Sequence, residues 1–251
     1  MAKLICLQAG HEGVTSGATG APGEQELTVR IRNRLCNVLI SKGFVVQLVN
    51  ANPSNAEINR DYDLFLALHG DADIYGTGGG LVDNPAQKNP DGTIFDIVYP
   101  ESKRIKEAIE SLYFAESGIV NHPERSNANT KYYYMWSRLS AHTPCVIMEM
   151  GVVQDAHDRV ILADTDRVAN AIARGICKAF NVPYDQTVPP VALVTIPKTE
   201  YEGMKATISS LSSALDKANA TLALQQQECL NNSNKYRLEV KKKITDLASS
   251  L

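Results

Sequence analysis

The stretch "LFLALHGDADIYG" (residues 64–76) contains a run of five apolar residues that ends abruptly on His69. Small and acidic residues follow at positions 70–73. A short, continuous apolar run is typical of a strand that is buried on both faces of a parallel sheet. Two interpretations of its end are open. His69 is either a core histidine capped by a turn, or a metal ligand that the strand end holds over a cleft.

Three further apolar runs predict buried strands, and amphipathic patterns between the runs predict helices. The predicted strands cover residues 4–9, 44–49, 64–69 and 145–150, and the predicted helices cover residues 24–42, 101–115 and 164–180. This order indicates an α/β fold with a mostly parallel, twisted sheet flanked by helices. Turn formers in residues 73–99 predict a long loop over the strand ends. Ligands of such sheets bind beyond the carboxyl ends of the strands, where His69 is expected.

The character of the sequence changes near residue 183. We therefore predict a main domain (1–183), a proline-containing linker (184–199) and a helical, coiled-coil extension (200–251). The extension has an apolar seam that steps by four and three residues, formed by Met204, Ile208, Leu211, Leu215, Ala218 and Leu222. Either copies of the chain pair along this seam, or the extension folds into a hairpin at residues 231–234. We expect a homo-oligomer, because hairpin arms of about three heptads are marginal alone.

Composition and charge exclude several classes of protein. The chain is 44% hydrophobic and 21% charged, which is typical of a globular protein. Its net charge of -3 gives no footprint for general nucleic-acid binding. No run approaches the ~18 apolar residues of a membrane span. The five cysteines are scattered along the chain, and the N-terminal pattern predicts a strand and not a signal peptide. We therefore expect synthesis in a reducing cytoplasm.

A second histidine and a glutamate complete a candidate metal site. His11 follows the first predicted strand in "QAGHEG", and two glutamates open the first predicted helix. Two histidines, a carboxylate and one position left for water form a typical catalytic zinc site. At about 100° per residue, Glu24 falls roughly 60° from Leu27, within the sheet-facing stripe, and Glu26 falls outside it. Glu24 is therefore the preferred ligand, the alternative being an acid that only complements the helix dipole.

A lone glutamate, Glu149, ends the apolar run of the fourth predicted strand in "PCVIMEMG". Such a glutamate is unusual after so apolar a run. It forms either a buried ion pair, with Arg138 as the candidate partner, or a general base whose pKa is raised by apolar surroundings. Because the candidate ligands are expected at the same edge of the sheet, we favour the general base.

Three segments resemble the signature segments of the zinc-dependent N-acetylmuramoyl-L-alanine amidases, which cleave peptidoglycan and include many phage endolysins. The segments are "KLICLQAGHEGVTSGATGAPGEQELTVRIRNRL", "LFLALHGDA" and "TPCVIMEMGVVQDAHDRVIL", and together they span about residues 3–180. The resemblance implies that Zn²⁺ is bound by His11, Glu24 and His69. It also implies that Glu149 is catalytic and that the substrate is the amide bond between N-acetylmuramic acid and L-alanine.

Four residues depart from the family's usual pattern, namely Glu12, Gly70, Asp71 and Val152. None of them removes a ligand. We expect all four to touch the rim of the site, so the resemblance implies substrate preference less securely than catalysis.

Other functions and locations stay open. A zinc peptidase that cleaves within the stem peptide has the same ligand set, whereas a non-enzymatic binding protein would bind no zinc and cause no lysis. An N-terminus without a signal peptide fits an endolysin that is stored in a host cytoplasm and acts on the wall after release. A bacterial enzyme that acts in a mother cell, or that is exported by another route, fits as well. The extension would then serve oligomerisation or wall docking.

The remaining aromatic and histidine residues are expected to be structural. The "KYYYMW" stretch (131–136) is interpreted as ordinary core and surface aromatics. His122, His142 and His157 are interpreted as structural or surface residues.

Overall fold

The computed structural model describes residues 2–15, 20–72, 76–85, 97–131, 133–185 and 210. The predicted linker beyond residue 185 and, except for residue 210, the predicted extension lie outside the described residues. The strands are β1 (Leu4–Ala9), β2 (Val45–Val49), β3 (Leu64–Asp71), β4 (Leu81–Asp83) and β5 (Cys145–Val152). The α-helices are α1 (Glu24–Ser41), α2 (Asn55–Ile58), α3 (Tyr99–Ser117), α4 (Ala128–Lys131), α5 (Ala156–Ala163) and α6 (Thr165–Ala179).

The sheet is mostly parallel, as the sequence predicts. Its strand order is β2-β1-β3-β5-β4, and only β4 runs antiparallel, against β5. Strands β1, β3 and β5 begin at the predicted residues. Strand β1 also ends as predicted, whereas β3 and β5 each end two residues later than predicted. Because the parallel strands end at one edge, the residues that follow β1, β3 and β5 lie close together.

Strand β4 corrects the prediction of a continuous loop over residues 73–99. Leu81 and Val82 are each 2% exposed, and they pair with Glu149 and Met148 of β5. A strand of three residues is too short to give a period-2 signal, and the glycines that precede it indicated only turns. The sheet therefore has an antiparallel edge strand that covers β5 beside its carboxyl end.

The two faces of the sheet are covered differently. Alternate strand residues such as Leu7 and Leu66 pack with α1, α3 and α6 in the larger core cluster. The residues between them, such as Cys6 and Phe65, pack in a smaller cluster with Ile58 of α2. Among the described residues, none of the helices combines the length and the apolar character that a membrane crossing requires.

Candidate metal centre and active site

The carboxyl edge of the sheet brings together the three residues predicted as metal ligands. His11 lies two residues beyond β1, Glu24 is the first residue of α1, and His69 lies near the end of β3. Each side chain offers one ligand atom, and these three atoms lie within 4.8 Å of one another. The convergence follows from parallel strand topology, which gathers residues far apart in sequence at one edge.

The spacing of these atoms fits a zinc ion. The Oε1 atom of Glu24 lies 3.4 Å from Nε2 of His11 and 3.2 Å from Nδ1 of His69. Bonds of about 2.0–2.1 Å at tetrahedral angles place neighbouring ligand atoms about 3.3 Å apart. Two imidazole nitrogens and one carboxylate oxygen also form a donor set that suits Zn²⁺ and leaves a position for water.

Glu24 is buried, at 2% exposure, and firmly oriented. The backbone N–H of Ala21 donates to its Oε2 atom at 2.8 Å, and the N–H of Gly70 donates to Oε1 at 3.1 Å. Burial is the largest influence on the pKa of Glu24 and raises it, but the hydrogen bond and charge of His69 and the two backbone donors together leave that pKa below its ordinary value. Glu26 is exposed and lies outside the cluster, as its helical position predicts.

The turn that carries His11 depends on close approaches by glycine. His11 itself has a left-handed backbone, with a φ of 60°, which is uncommon for a residue with a side chain and is found most often at functional sites. A Cβ atom on Gly10 would lie 2.5 Å from the His69 ring, and one on Gly20 would lie 2.5 Å from Oε2 of Glu24. The need for glycine at these positions is not predictable from the local sequence, because the side chains that approach them are distant in sequence or placed by the fold.

The departures from the family pattern are not all at the rim. Gly70 and Val152 are buried. The expectation that all four departures touch the rim of the site is therefore wrong for these two residues. Glu12 is held by Arg32, which donates to both of its carboxylate oxygens and to the carbonyl oxygen of Val49. This pair fixes the turn after β1 to helix α1.

Glu149 lies next to the cluster on the neighbouring strand. It pairs with His69 in the register of β3 and β5, so both side chains lie on the same face of the sheet. Burial, followed by the charges of Glu24 and Asp71, raises the pKa of Glu149 well above its ordinary value. A carboxyl group whose pKa is raised in this way beside a candidate metal site is a candidate general base.

The alternative ion pair between Arg138 and Glu149 is not formed. The guanidinium of Arg138 donates to the carbonyl oxygen of Pro53 and to Oδ1 of Asn55. The guanidinium of Arg138 is therefore bound to residues at and just before the start of α2 and not to Glu149. The geometry thus favours the interpretation of Glu149 as a general base.

Replacing Glu149 with glutamine is expected to stabilise the metal-free protein at neutral pH. A carboxyl group whose folded-state pKa is raised binds more protons folded than unfolded, so its contribution to stability falls as pH rises above the unfolded value of about 4.3. Glu149→Gln removes that penalty, and its advantage in melting temperature should grow from about pH 4 upward. Thermal unfolding of both metal-free proteins across this range measures the effect. A difference in melting temperature between the two proteins that does not change with pH would contradict this expectation.

Two tyrosines of the aromatic segment 131–136 lie beside the ligand cluster, and they are core and surface residues as interpreted, since Tyr133 is 8% exposed and Tyr134 is 47% exposed. The hydroxyl of Tyr133 lies 3.2 Å from Nε2 of His69, and Tyr134 donates to the carbonyl oxygen of Ala51. Both line a cavity of about 270 Å³ beside the ligand cluster. The other residues that line it are His11, Val14, Ala51, Asn52 and His69.

The remaining histidines lie outside the ligand cluster, as the sequence predicts. His122 contacts a surface glutamate, and His142 is exposed. A second group of potential metal ligands comprises Asp155, His157 and Asp158. Both of these carboxylates accept backbone hydrogen bonds, at the start of α5 and at the end of β5, which gives them a structural role.

The fold is shared with solved amidase structures. An N-acetylmuramoyl-L-alanine amidase of Nostoc punctiforme superimposes with a TM-score of 0.54 at 20% sequence identity, covering 71% of this chain and 97% of that one. An amidase of Mycobacterium smegmatis gives a TM-score of 0.55 at 16% identity, again covering 71% of this chain and 97% of that one. The catalytic domain of an amidase of Bacillus polymyxa gives a TM-score of 0.52 at 18% identity, covering 72% and 99%.

The sequence itself matches the profile of a known family. A search of curated proteins finds no match for the chain. The profile of the N-acetylmuramoyl-L-alanine amidases, however, matches residues 5–179, which include the candidate ligands and Glu149. The matched segment begins one residue inside β1, contains the four other described strands and ends at the last residue of α6. The chain therefore belongs to the N-acetylmuramoyl-L-alanine amidase family.

Proposed function

We propose that this amidase is a zinc enzyme in which His11, Glu24 and His69 hold the metal and Glu149 is the general base. The observation that carries the proposal is the cluster of the three ligand atoms at the carboxyl edge, with Glu149 beside His69 in the strand register. The substrate is peptidoglycan, and the bond that is cleaved joins the lactyl group of N-acetylmuramic acid to L-alanine.

The residues of the site divide the chemistry between them. His11, Glu24 and His69 would hold Zn²⁺, which when bound would supply a Lewis acid for the scissile carbonyl group and increase the acidity of water. Glu149 takes a proton from the attacking water and delivers it to the leaving amine of L-alanine. The cavity lined by Tyr133 and Tyr134 offers space for substrate groups beside the cleaved bond.

The product of digestion distinguishes this activity from that of a zinc peptidase. Purified protein on isolated sacculi should release stem peptides with new L-alanine amino termini and should create no new reducing sugar ends. New amines within the stem peptide, detected by mass spectrometry, would instead indicate an endopeptidase. Intact sacculi would support the non-enzymatic alternative.

We further propose that residues 200–251 make the protein a homo-oligomer. The support is the apolar seam from Met204 to Leu222, because a single helix cannot bury such a seam alone. Light scattering should find a dimer or larger assembly for the full chain and a monomer for a chain truncated after Tyr184. A monomeric full chain at micromolar concentration would contradict the proposal and leave the helical hairpin, as a wall-docking segment.

The endolysin role is also a proposal, with synthesis in a host cytoplasm and action on the wall after release. Its support is the resemblance of the three signature segments to a family that includes phage endolysins. Expression inside a bacterial host, with and without a separate membrane-permeabilising lysis protein, tests it. Lysis only in the presence of that protein is expected, and lysis without it would contradict cytoplasmic storage.

A further inference from the structure

His69 is bonded on both sides of its imidazole ring. Its Nδ1 atom faces Oε1 of Glu24 at 3.2 Å, in the ligand cluster. Its Nε2 atom lies 3.2 Å from the hydroxyl of Tyr133, which also forms a short hydrogen bond to Oε1 of Gln8. The chain of contacts therefore runs from the candidate metal ligand through a tyrosine to a glutamine in strand β1.

The glutamine at the end of this chain has a fixed orientation. The amide nitrogen of Gln8 donates to the carbonyl oxygens of Asn50 and Ala51, at 3.2 and 3.1 Å. Since these two partners only accept hydrogen bonds, the nitrogen of the Gln8 amide must face them. Its Oε1 atom therefore faces Tyr133 as an acceptor.

The direction of each hydrogen bond then follows from the number of available protons. Tyr133 has one hydroxyl proton, and Gln8 Oε1 can only accept it. The Tyr133 oxygen is left to accept a hydrogen bond from Nε2–H of His69. With the proton on Nε2 held by Tyr133, the Nδ1 atom of His69 faces the ligand cluster and would offer its lone pair to a bound zinc ion.

Burial protects this chain from competing water. Gln8 has no exposed surface, and Tyr133 and His69 are each 8% exposed. Buried polar groups are costly unless their hydrogen bonds are made, so a reversed bond in this chain would leave a donor or an acceptor unsatisfied. The hydroxyl of Tyr134 also lies within hydrogen-bond reach of Tyr133 and Gln8, but it donates its proton to the carbonyl oxygen of Ala51. The three side chains of the series are then satisfied when Tyr133 donates to Gln8 and His69 donates to Tyr133.

We propose that Gln8 and Tyr133 are positioning residues that fix the tautomer and the ring orientation of His69 for metal binding. The proposal rests on the proposed function, because it takes His69 as a zinc ligand. Partners of this kind, which contact a ligand and not the metal, commonly change metal affinity 10- to 100-fold when they are removed.

Tyr133→Phe and Gln8→Leu test the proposal through zinc affinity. Competition with a chromophoric chelator should find the dissociation constant for Zn²⁺ raised about tenfold or more in each variant. The double variant should bind zinc about as weakly as the weaker-binding single variant, because both substitutions interrupt the same series of hydrogen bonds. Tyr62→Phe is the matched control, since Tyr62 is also buried and its hydroxyl donates to a glutamine, Gln47, in another part of the fold.

A second measurement follows the hydrogen bond itself. In the zinc-loaded wild-type protein, NMR should find that the Nε2–H proton of His69 exchanges slowly with water, because it is donated to Tyr133. In Tyr133→Phe, the same proton has no acceptor at that position and should exchange faster. Tyr133→Phe keeps the aromatic ring, so it provides the affinity test even if Gln8→Leu does not fold.

The outcomes separate this inference from the proposed function. Unchanged zinc affinity in Tyr133→Phe, or an Nε2–H proton of His69 that exchanges equally fast in both proteins, would overturn the inference and leave His69 as a ligand. A wild-type protein that binds no zinc would overturn the proposed function itself. Equal loss of affinity in Tyr62→Phe would attribute the effect to general destabilisation and would also overturn the inference.

Discussion

We expect Glu149→Gln to lower the turnover of peptidoglycan sacculi by about 100-fold or more, while the protein still binds zinc. Glutamine preserves the shape of the side chain and removes only its ability to accept a proton, and loss of a general base commonly costs 10²–10⁴ in rate. Glu149 pairs with His69 but is not one of the three clustered ligands, so the metal content should stay at about one ion per chain. Release of soluble stem peptides measures turnover, and elemental analysis measures zinc.

Glu26→Gln is the matched control for this experiment. Glu26 is an exposed glutamate on α1, outside the ligand cluster, so its replacement should leave both zinc content and turnover near the wild-type values. Wild-type turnover by Glu149→Gln would place the base elsewhere. Loss of zinc in Glu149→Gln would instead make this residue part of the metal site.

The second large effect is expected for His69→Ala, which should lose most of the bound zinc and, with it, hydrolysis. The substitution removes one of the three ligand atoms and leaves the buried carboxylate of Glu24 without its nearer histidine partner. Elemental analysis after dialysis against a weak chelator measures the loss. His142→Ala, at an exposed histidine away from the cluster, should retain the metal. Wild-type stoichiometry in His69→Ala would refute the ligand assignment.

The parallel strands and the candidate ligands were predictable for the same physical reason. Each central strand is a short run of apolar residues, as burial on both faces requires. The chemistry-bearing residues follow these runs, and parallel topology gathers them at one edge. The choice of Glu24 over Glu26 needed only the helical repeat of 100° per residue, and the structure buries the first and exposes the second.

The parts of the site that were not predicted depend on contacts between distant segments. Gln8 and Tyr133 are 125 positions apart, and neither one stands out in its own segment. A single glutamine in an apolar strand does not indicate its partner, and a tyrosine in an aromatic run is usually a core or surface residue. The glycines at positions 10 and 20 likewise gain their meaning from side chains that the fold places against them.

Digestion of sacculi with metal-free protein, to which zinc is returned in steps, tests whether this amidase depends on zinc. Without metal the protein should release no stem peptides, and new L-alanine amino termini should then rise in proportion to bound zinc. The rise should end at one ion per chain, the number that the cluster of His11, Glu24 and His69 accommodates. Full activity in the metal-free protein, or a product with new amines inside the stem peptide, would contradict it.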